Sequence, residues 1–335
     1  MIYRPIRPRS LEYLKELAIK MLDVTGYEEM TLSSLSTSDY KRLSELCDGL
    51  LSWCEPREVS LSLPSLRADN FSIGLMERVQ RVRKSGLTFA PEAGSQRLRD
   101  VINKNVREED ILSSARIAFE GGWNTVKLYF MLGLPTETDE DVLAIADLAA
   151  RVVHEWREHA ENKNRGLRVT VSTAFFVPKP FTPFQWEAQI SPEEYRRRVS
   201  LLSAAMRSRS VVYSWHGAET SHIEAVLARG DRRLGRVIET VWRNGGRMDA
   251  WDEHFSYERW LDAFDACGLA AEFYAGRERR EDEILPWDCI SCGVTKDHFL
   301  RERRAAYAET VTPDCRTKCT GCGAQKLMEG GVCDA

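Results

Sequence analysis

The sequence is 335 residues long, 43% hydrophobic and 29% charged, with a formal net charge of −4 from 47 basic and 51 acidic residues. That length can bury a large core, as one big domain with an appendage or as two domains; the near balance of charge excludes a global electrostatic case for nucleic acid or an anionic membrane as partner. No run approaches the roughly 18 apolar residues of a membrane span, and the amphipathic start, with Glu12 and Glu16 following Arg4, Arg7 and Arg9, fits neither a secretory nor a transit peptide, so a cytoplasmic protein without membrane contact is expected.

Helix and strand patterns alternate along the chain. Ser10 caps a helix whose apolar positions are Leu11, Leu14, Leu17, Ala18 and Met21. A strand-like run from Glu28 to Ser33 precedes a helix over about 39–53, and Glu58–Leu63 alternates as a second strand. The helix behind it presents Ile73, Met76, Val79 and Val82. Leu87–Pro91 reads as a strand, Gly121–Gly122 as a helix end, and Thr125–Leu132 as the strongest strand of the chain. Thr138 with Asp141 opens a long helix ending near His159, Leu167–Val177 is a strand, Ser191 with Glu194 opens another helix, and Val211–Ser214 is a last short strand.

Repeated β–α units predict parallel strands with crossover helices, as either a doubly wound sheet or a barrel. No G-x-G-x-x-G loop follows any strand, which counts against a nucleotide-binding doubly wound fold. Polar residues gather instead at strand C-terminal ends, at Ser33–Ser36, Ser65–Asp69, Glu92–Ser95, Thr136–Thr138 and Lys179–Thr182, as on the active face of a β/α barrel. A partial barrel is expected over 1–216, followed over 217–335 by a mainly helical, Arg- and Trp-rich extension with a cysteine-rich tail. The run Arg277–Glu283 reads as a solvated connector or helix face.

Of the nine cysteines, Cys47, Cys54 and Cys267 lie singly in helical patterns, as small buried hydrophobes would. The rest begin at Cys289, and Cys315, Cys319 and Cys322 have C-x3-C-x2-C spacing, which suits three thiolates on an iron–sulfur cluster or, with a fourth ligand, zinc. Cys333 or the pair Cys289 and Cys292 could supply that fourth ligand. His216, Glu219 and His222 are spaced H-x2-E-x2-H, not as the HExxH zinc motif, and read as structural.

Several segments in order carry a resemblance: LSSLSTSDY at 32–40, LPSLRAD at 63–69, APEAGSQRLRDVINK at 90–104, KLYFMLGLPTETDEDV at 127–142, FVPKPFTPFQW at 176–186 and LARGDRRLGRVIETVWRNGGRMDAW at 227–251. Together they resemble an uncharacterised subfamily of radical S-adenosylmethionine (SAM) proteins that usually carries an N-terminal cobalamin-type domain; methylthiotransferases and the oxygen-independent coproporphyrinogen oxidase are more distant relatives. The resemblance implies a (β/α)6 TIM-like barrel, SAM, and a 4Fe-4S cluster held by a C-x3-C-x2-C loop after the first strand. It also implies an unidentified substrate, a flavodoxin- or ferredoxin-type electron donor and a cobalamin-type domain encoded upstream. Relatives read Cys-Gln-Ala-Gly just before a segment like MIYRP, here at Met1, so the first strand and the cluster loop are expected to be missing from this sequence.

Carried over residue by residue, the resemblance places Ser33, Ser34 and Ser36 near the SAM amino group, although a helix-capping serine run explains them as well. It puts Glu92 against the ribose hydroxyls, with Ser95 beside it, and Lys104 against the SAM carboxylate or, more simply, free in solvent. Tyr129 and Gly133 lie along adenine, with Tyr129 where some relatives have an acidic ribose ligand, although plain barrel core explains most of Leu128–Leu132 as well. Arg67 and Asp69 reach substrate or SAM or, more simply, form a salt bridge closing the barrel top. The expected function is SAM-dependent radical modification of a macromolecule or cofactor, this chain alone being inactive. The alternative is an inactive SAM- or metal-binding module.

Overall fold

The computed structural model describes residues 8–34, 37, 40–63, 87–160, 162–164, 166–315 and 317–327. Ser36, Arg67, Asp69, Cys333 and the helix expected at Ile73–Val82 lie outside the described residues.

Helix α1 (Leu11–Thr25) begins at Ser10, whose hydroxyl accepts from the Tyr13 N–H, and ends at Gly26 with φ 68°. Its buried positions are Leu11, Ala18 and Leu22, while Leu17 and Met21 are exposed. The apolar stripe is therefore narrower than its sequence pattern, because α2 (Leu43–Cys54) and β2 (Ser60–Ser62) cover only one side. Cys47 and Cys54 are fully buried on α2, as small hydrophobes. Strand β1 (Glu29–Thr31) pairs in parallel with β2, Met30 opposite Leu61.

The main sheet is parallel, in the order β3 (Leu87–Glu92), β4 (Thr125–Leu132), β5 (Arg168–Phe175), β6 (Val211–Trp215). Among the described residues no pairing joins it to β1 and β2. Between the strands run α3 (Gln96–Val101), α4 (Glu108–Glu120), α5 (Asp139–His159) and α6 (Pro192–Ala205). Thr138 and Asp141 close the capping box that starts α5, and Ser191 accepts from the Glu194 N–H at the start of α6.

One face of the sheet carries the core. Val126, Leu128, Phe130 and Leu132 of β4 pack with Phe89, Val169 and Val171 against Phe119 of α4, Ile145 and Leu148 of α5 and Leu202 of α6. The alternate residues Lys127, Tyr129 and Met131 are only half-buried, as are Thr88, Thr170 and Ala174 on the neighbouring strands. Helices on one face and a half-open opposite face are the geometry of a barrel wall, and the described strands form a partial TIM-like barrel.

Helices α7 (Ala218–Arg229), α8 (Leu234–Arg243), α9 (Tyr257–Ala266) and α10 (Ala271–Ala275) build a second core around Val226, Val237, Phe264 and Tyr274, joined by Val177 after β5. Cys267, at the end of α9, is half-buried and packs against that core. Arg277–Glu283 is a connector with Glu278, Arg280 and Asp282 exposed, as its charge pattern predicts, but Arg279 departs from that pattern. Arg279 is 3% exposed and donates to the Arg229 carbonyl at 2.8 Å, while Arg277 pairs with Glu283. The chain folds under α7 there, and the backbone carbonyls of Arg229 and Tyr274 accept from one guanidinium nitrogen while its other two are buried without a hydrogen-bond partner among the described residues.

The last helix, α11 (Lys296–Tyr307), is anchored to the barrel side. Arg303 donates to Glu187 at 2.7 Å and to Glu281 at 2.9 Å, and the Tyr307 hydroxyl donates to Glu187 at 2.7 Å. No described helix is long and apolar enough to cross a membrane.

Candidate active site at the strand ends

The turn after β3 is tightly constrained. Glu92 has φ 67°, a left-handed conformation rarely adopted by a non-glycine residue. Pairing with β4 slips between Phe89 and Glu92, so the strand end bends away from the ladder. The Lys104 ammonium donates to the Glu92 carboxylate at 3.1 Å across the loop after α3, both side chains about 30% exposed. The structure thus brings together two residues that the resemblance marks as cofactor contacts.

Neighbouring groups hold this turn in place. The buried Arg99 guanidinium donates to the Ala93 and Gly94 carbonyls at 3.1 and 2.9 Å. Ser95 caps α3, accepting from the Leu98 N–H at 3.1 Å, and its hydroxyl donates to Asp141 at 2.5 Å. Asp141 also pairs with Arg97 and accepts from the Thr138 N–H at 2.9 Å. Burial alone would raise the Asp141 carboxyl, but Arg97, Ser95 and the Thr138 N–H hold it below its ordinary value. Gly94 sits so close to α5 that a Cβ would lie 2.4 Å from the Ile145 nitrogen.

The turn after β4 is fixed in a similar way. Gly133 has φ 91°, and a Cβ there would meet Ile190 at 3.0 Å. Its N–H donates to the Glu137 carboxylate at 2.7 Å, and Glu137 is paired with Arg198 of α6. Burial raises the Glu137 carboxyl, against the Gly133 N–H and Arg198, which favour the charged form. Tyr129 lies on the half-open face, with the Lys127 ammonium 4.4 Å from its ring centroid.

Ser33 and Ser34 are exposed at the end of β1, on the two-stranded sheet; Ser34 lies 3.3 Å from the Thr37 hydroxyl, which donates to the Leu32 carbonyl. Among the described residues no hydrogen bond links them to Glu92 or Lys104. The tail reaches the same strand ends. Arg97 pairs with Glu309 at 3.0 Å, and the Thr312 N–H donates to Asn103 at 3.0 Å, one residue before Lys104.

Sequence patterns identify Thr138 and Asp141 as a helix cap but miss their second use. Only the packing of the β3 and β4 turns shows Asp141, Arg97 and Gly94 locking the two together. The single available signal was a glycine and a serine two and three residues after the strand-end glutamate.

Among the described residues no three His, Cys, Asp or Glu side chains are gathered closely enough to hold a metal ion. Cys315, Cys319 and Cys322 are half-buried, exposed and buried respectively, and are not drawn together. His222 is buried 6.1 Å from the Tyr257 ring and Glu219 pairs with Arg196, while His216 is exposed.

Residues 1–149 match the radical SAM superfamily. This stretch of the chain belongs to that family. Over 268 residues the chain is also 31% identical to an uncharacterised protein of Methanocaldococcus jannaschii, the match covering 80% of this chain. The chain spans about half the length of that relative, 56% of it. The radical SAM segment therefore includes β1 to β4, the Glu92–Lys104 pair and the start of α5. Family membership implies SAM and a 4Fe-4S cluster in general, with a substrate and an electron donor.

The residues of the radical SAM segment suit the two cofactors unequally. A carboxylate paired with a cation at a strand end, and an aromatic ring on the half-open sheet face, are groups of the kind that suit the hydroxyls, carboxylate and base of SAM. The cysteines within 1–149 do not suit a cluster. They are Cys47 and Cys54, both fully buried on α2, and burial pushes the Cys54 thiol up, away from the thiolate a metal needs.

Proposed function

We propose that this chain is the SAM-binding wall of a radical SAM enzyme that modifies a macromolecule or cofactor. The observation that carries the reading is the Glu92–Lys104 pair, set by a left-handed strand end at the C-terminal edge of the sheet. In this reading Glu92 accepts from the ribose hydroxyls and Lys104 swings from Glu92 to the SAM carboxylate. Ser95 keeps the turn in place, Tyr129 and the Gly133 turn lie along adenine, and Ser33, Ser34 and Ser36 face the amino group. In the family, the cluster supplies one electron to cleave SAM to a 5′-deoxyadenosyl radical. Because Cys47 and Cys54 do not suit it, our reading places the cluster thiolates on a C-x3-C-x2-C loop preceding this sequence, and no step is assigned to them here. A flavodoxin- or ferredoxin-type donor and an upstream cobalamin-type domain belong to the same reading, as does an auxiliary metal on the tail thiols.

Calorimetric titration with SAM tests it. Binding is expected, and Glu92→Gln and Lys104→Met should each weaken it by about tenfold, roughly the loss of one charge-assisted hydrogen bond. Absence of SAM binding at millimolar ligand would remove the assignment. A non-catalytic SAM-binding module is the competing reading. Anaerobic reconstitution with dithionite should give 5′-deoxyadenosine only once a C-x3-C-x2-C loop is supplied ahead of residue 1. If supplying the loop has no effect, the non-catalytic reading stands.

A further inference from the structure

The tail contains the same short turn twice. Cys289 and Cys292 are followed by Gly293, and Cys319 and Cys322 by Gly323, so each segment reads C-x-x-C-G. Both glycines are left-handed, at φ 79° and φ 99°. A left-handed residue directly after the second cysteine lets successive backbone N–H groups face inward, forming a concavity that favours thiolate charge. No glycine follows Cys315, the third cysteine of the tail pattern.

Although 27 or more positions apart, the two turns meet. The Thr295 N–H donates to the Cys322 carbonyl at 2.9 Å, and a Cβ on Gly323 would lie 3.0 Å from the Gly293 carbonyl oxygen. Cys322 and Cys292 share one small hydrophobic cluster with Trp186, Trp287 and Phe299. Cys289 and Cys319, the outer cysteine of each turn, are exposed. A cluster this small is a weak core by itself, and small cysteine-bearing units of this kind are commonly closed by metal.

We propose that Cys289, Cys292, Cys319 and Cys322 form one tetrahedral four-thiolate metal site that closes the C-terminal tail. The inference rests on the reading that the tail takes an auxiliary metal, and it replaces Cys315 with the Cys289–Cys292 pair as ligands. Cys322 lies in the hydrophobic cluster and Cys292 packs against it, but the four thiols are not gathered as they stand; all four turn inward as the ion binds, driven by the free energy of thiolate–metal bonds. Each thiol loses its proton on binding, so four protons are released per ion or taken up by buffer. Zinc and iron both suit such a site.

Titration of the anaerobic, metal-stripped full chain with Co2+, followed by displacement with Zn2+, tests the proposal. One ion per chain is expected, with intense thiolate-to-cobalt charge-transfer bands and the visible bands of a tetrahedral centre. Replacing the exposed ligands, by Cys289→Ser or Cys319→Ser, avoids disturbing the hydrophobic cluster. Each should weaken zinc binding by more than about tenfold, since even outer-shell partners are worth 10–100-fold. Cys315→Ser should leave the affinity and the spectrum unchanged, circular dichroism showing that all variants fold. If Cys315→Ser abolishes binding while Cys289→Ser does not, the ligand set is wrong although the tail still binds metal. If no ion binds the unaltered chain, both the ligand set and the auxiliary metal fall.

Discussion

Asp141 does three jobs with one carboxylate: it completes the α5 capping box, accepts from Ser95 and pairs with Arg97. Its side chain is 4% exposed, so Asp141→Asn would keep the shape but leave Arg97 without its main partner. The variant should lose about 2–3 kcal/mol of stability in urea titration, the range for hydrogen bonds to charged groups with a buried partner. A change below about 0.5 kcal/mol would mean that these hydrogen bonds are interchangeable with water. Gly133→Ala tests a different constraint. The positive φ and Ile190 at 3.0 Å both oppose a methyl group, and a loss of about 1–3 kcal/mol is expected. Thermal unfolding measures it, and an unchanged midpoint would show that the turn relaxes freely.

Between elements, the strand end bearing Glu92 depends on how closely α5 approaches it. Gly94 faces the α5 backbone, and a methyl carbon added there would sit 2.4 Å from the Ile145 nitrogen and 2.7 Å from the Asp141 carbonyl oxygen. Neither is the end of a flexible side chain, so Gly94→Ala must push the helix and the turn apart. We expect a loss of about 2–3 kcal/mol, the upper part of the overpacking range, together with weaker SAM binding because Glu92 lies two residues upstream. Calorimetry on the variant distinguishes the cases: full stability with normal SAM affinity would show that this close approach is unimportant.

For the whole molecule, the largest electrostatic lever is the set of arginine-held carboxylates on the helix faces. Arg197 and Arg198 bring Glu194 from 4.5 down to about 2, while Arg197 lowers Asp139 and Arg116 lowers Glu155. Each carboxylate is more easily ionised in the folded chain than in the unfolded one. Their contribution is therefore complete above about pH 4.5 and is lost as pH falls toward 2. Glu137, raised by burial, opposes this, but it is one group against several. The thermal midpoint should be flat from about pH 5 to 7 and fall steeply below about pH 4.5. A midpoint that rises on acidification would contradict this sign. The same scale includes the anchoring of the tail: Arg303→Met removes the ties to Glu187, Glu278 and Glu281, so limited proteolysis should cut ahead of α11 faster in the variant.

Local chemistry made the order of elements readable from the sequence. Thr125–Leu132 is a strand with the bounds its alternation predicts, Ser10, Thr138 and Ser191 cap the helices they precede, and the last strand begins at Val211. These are short-range effects, decided by side-chain periodicity and by hydrogen bonds three residues apart. The strand-end position of Glu92 was readable in the same way, its role coming from the resemblance. What tertiary structure alone decided depends on approach between distant segments. Leu17 and Met21 look like core positions but face solvent, since a stripe is buried only where a neighbour covers it. Arg279 sits in a highly charged run yet is buried, where carbonyls of α7 and α10 accept from one guanidinium nitrogen. Asp141 is written as a helix cap and becomes the clamp between two strand ends. Cys289–Cys292 and Cys319–Cys322 are separate motifs along the chain that meet only because α11 and its flanking turns fold back on Trp186 and Trp287. Periodicity carries no information about such meetings, which depend on the shape and burial of surfaces that exist only once the chain has folded.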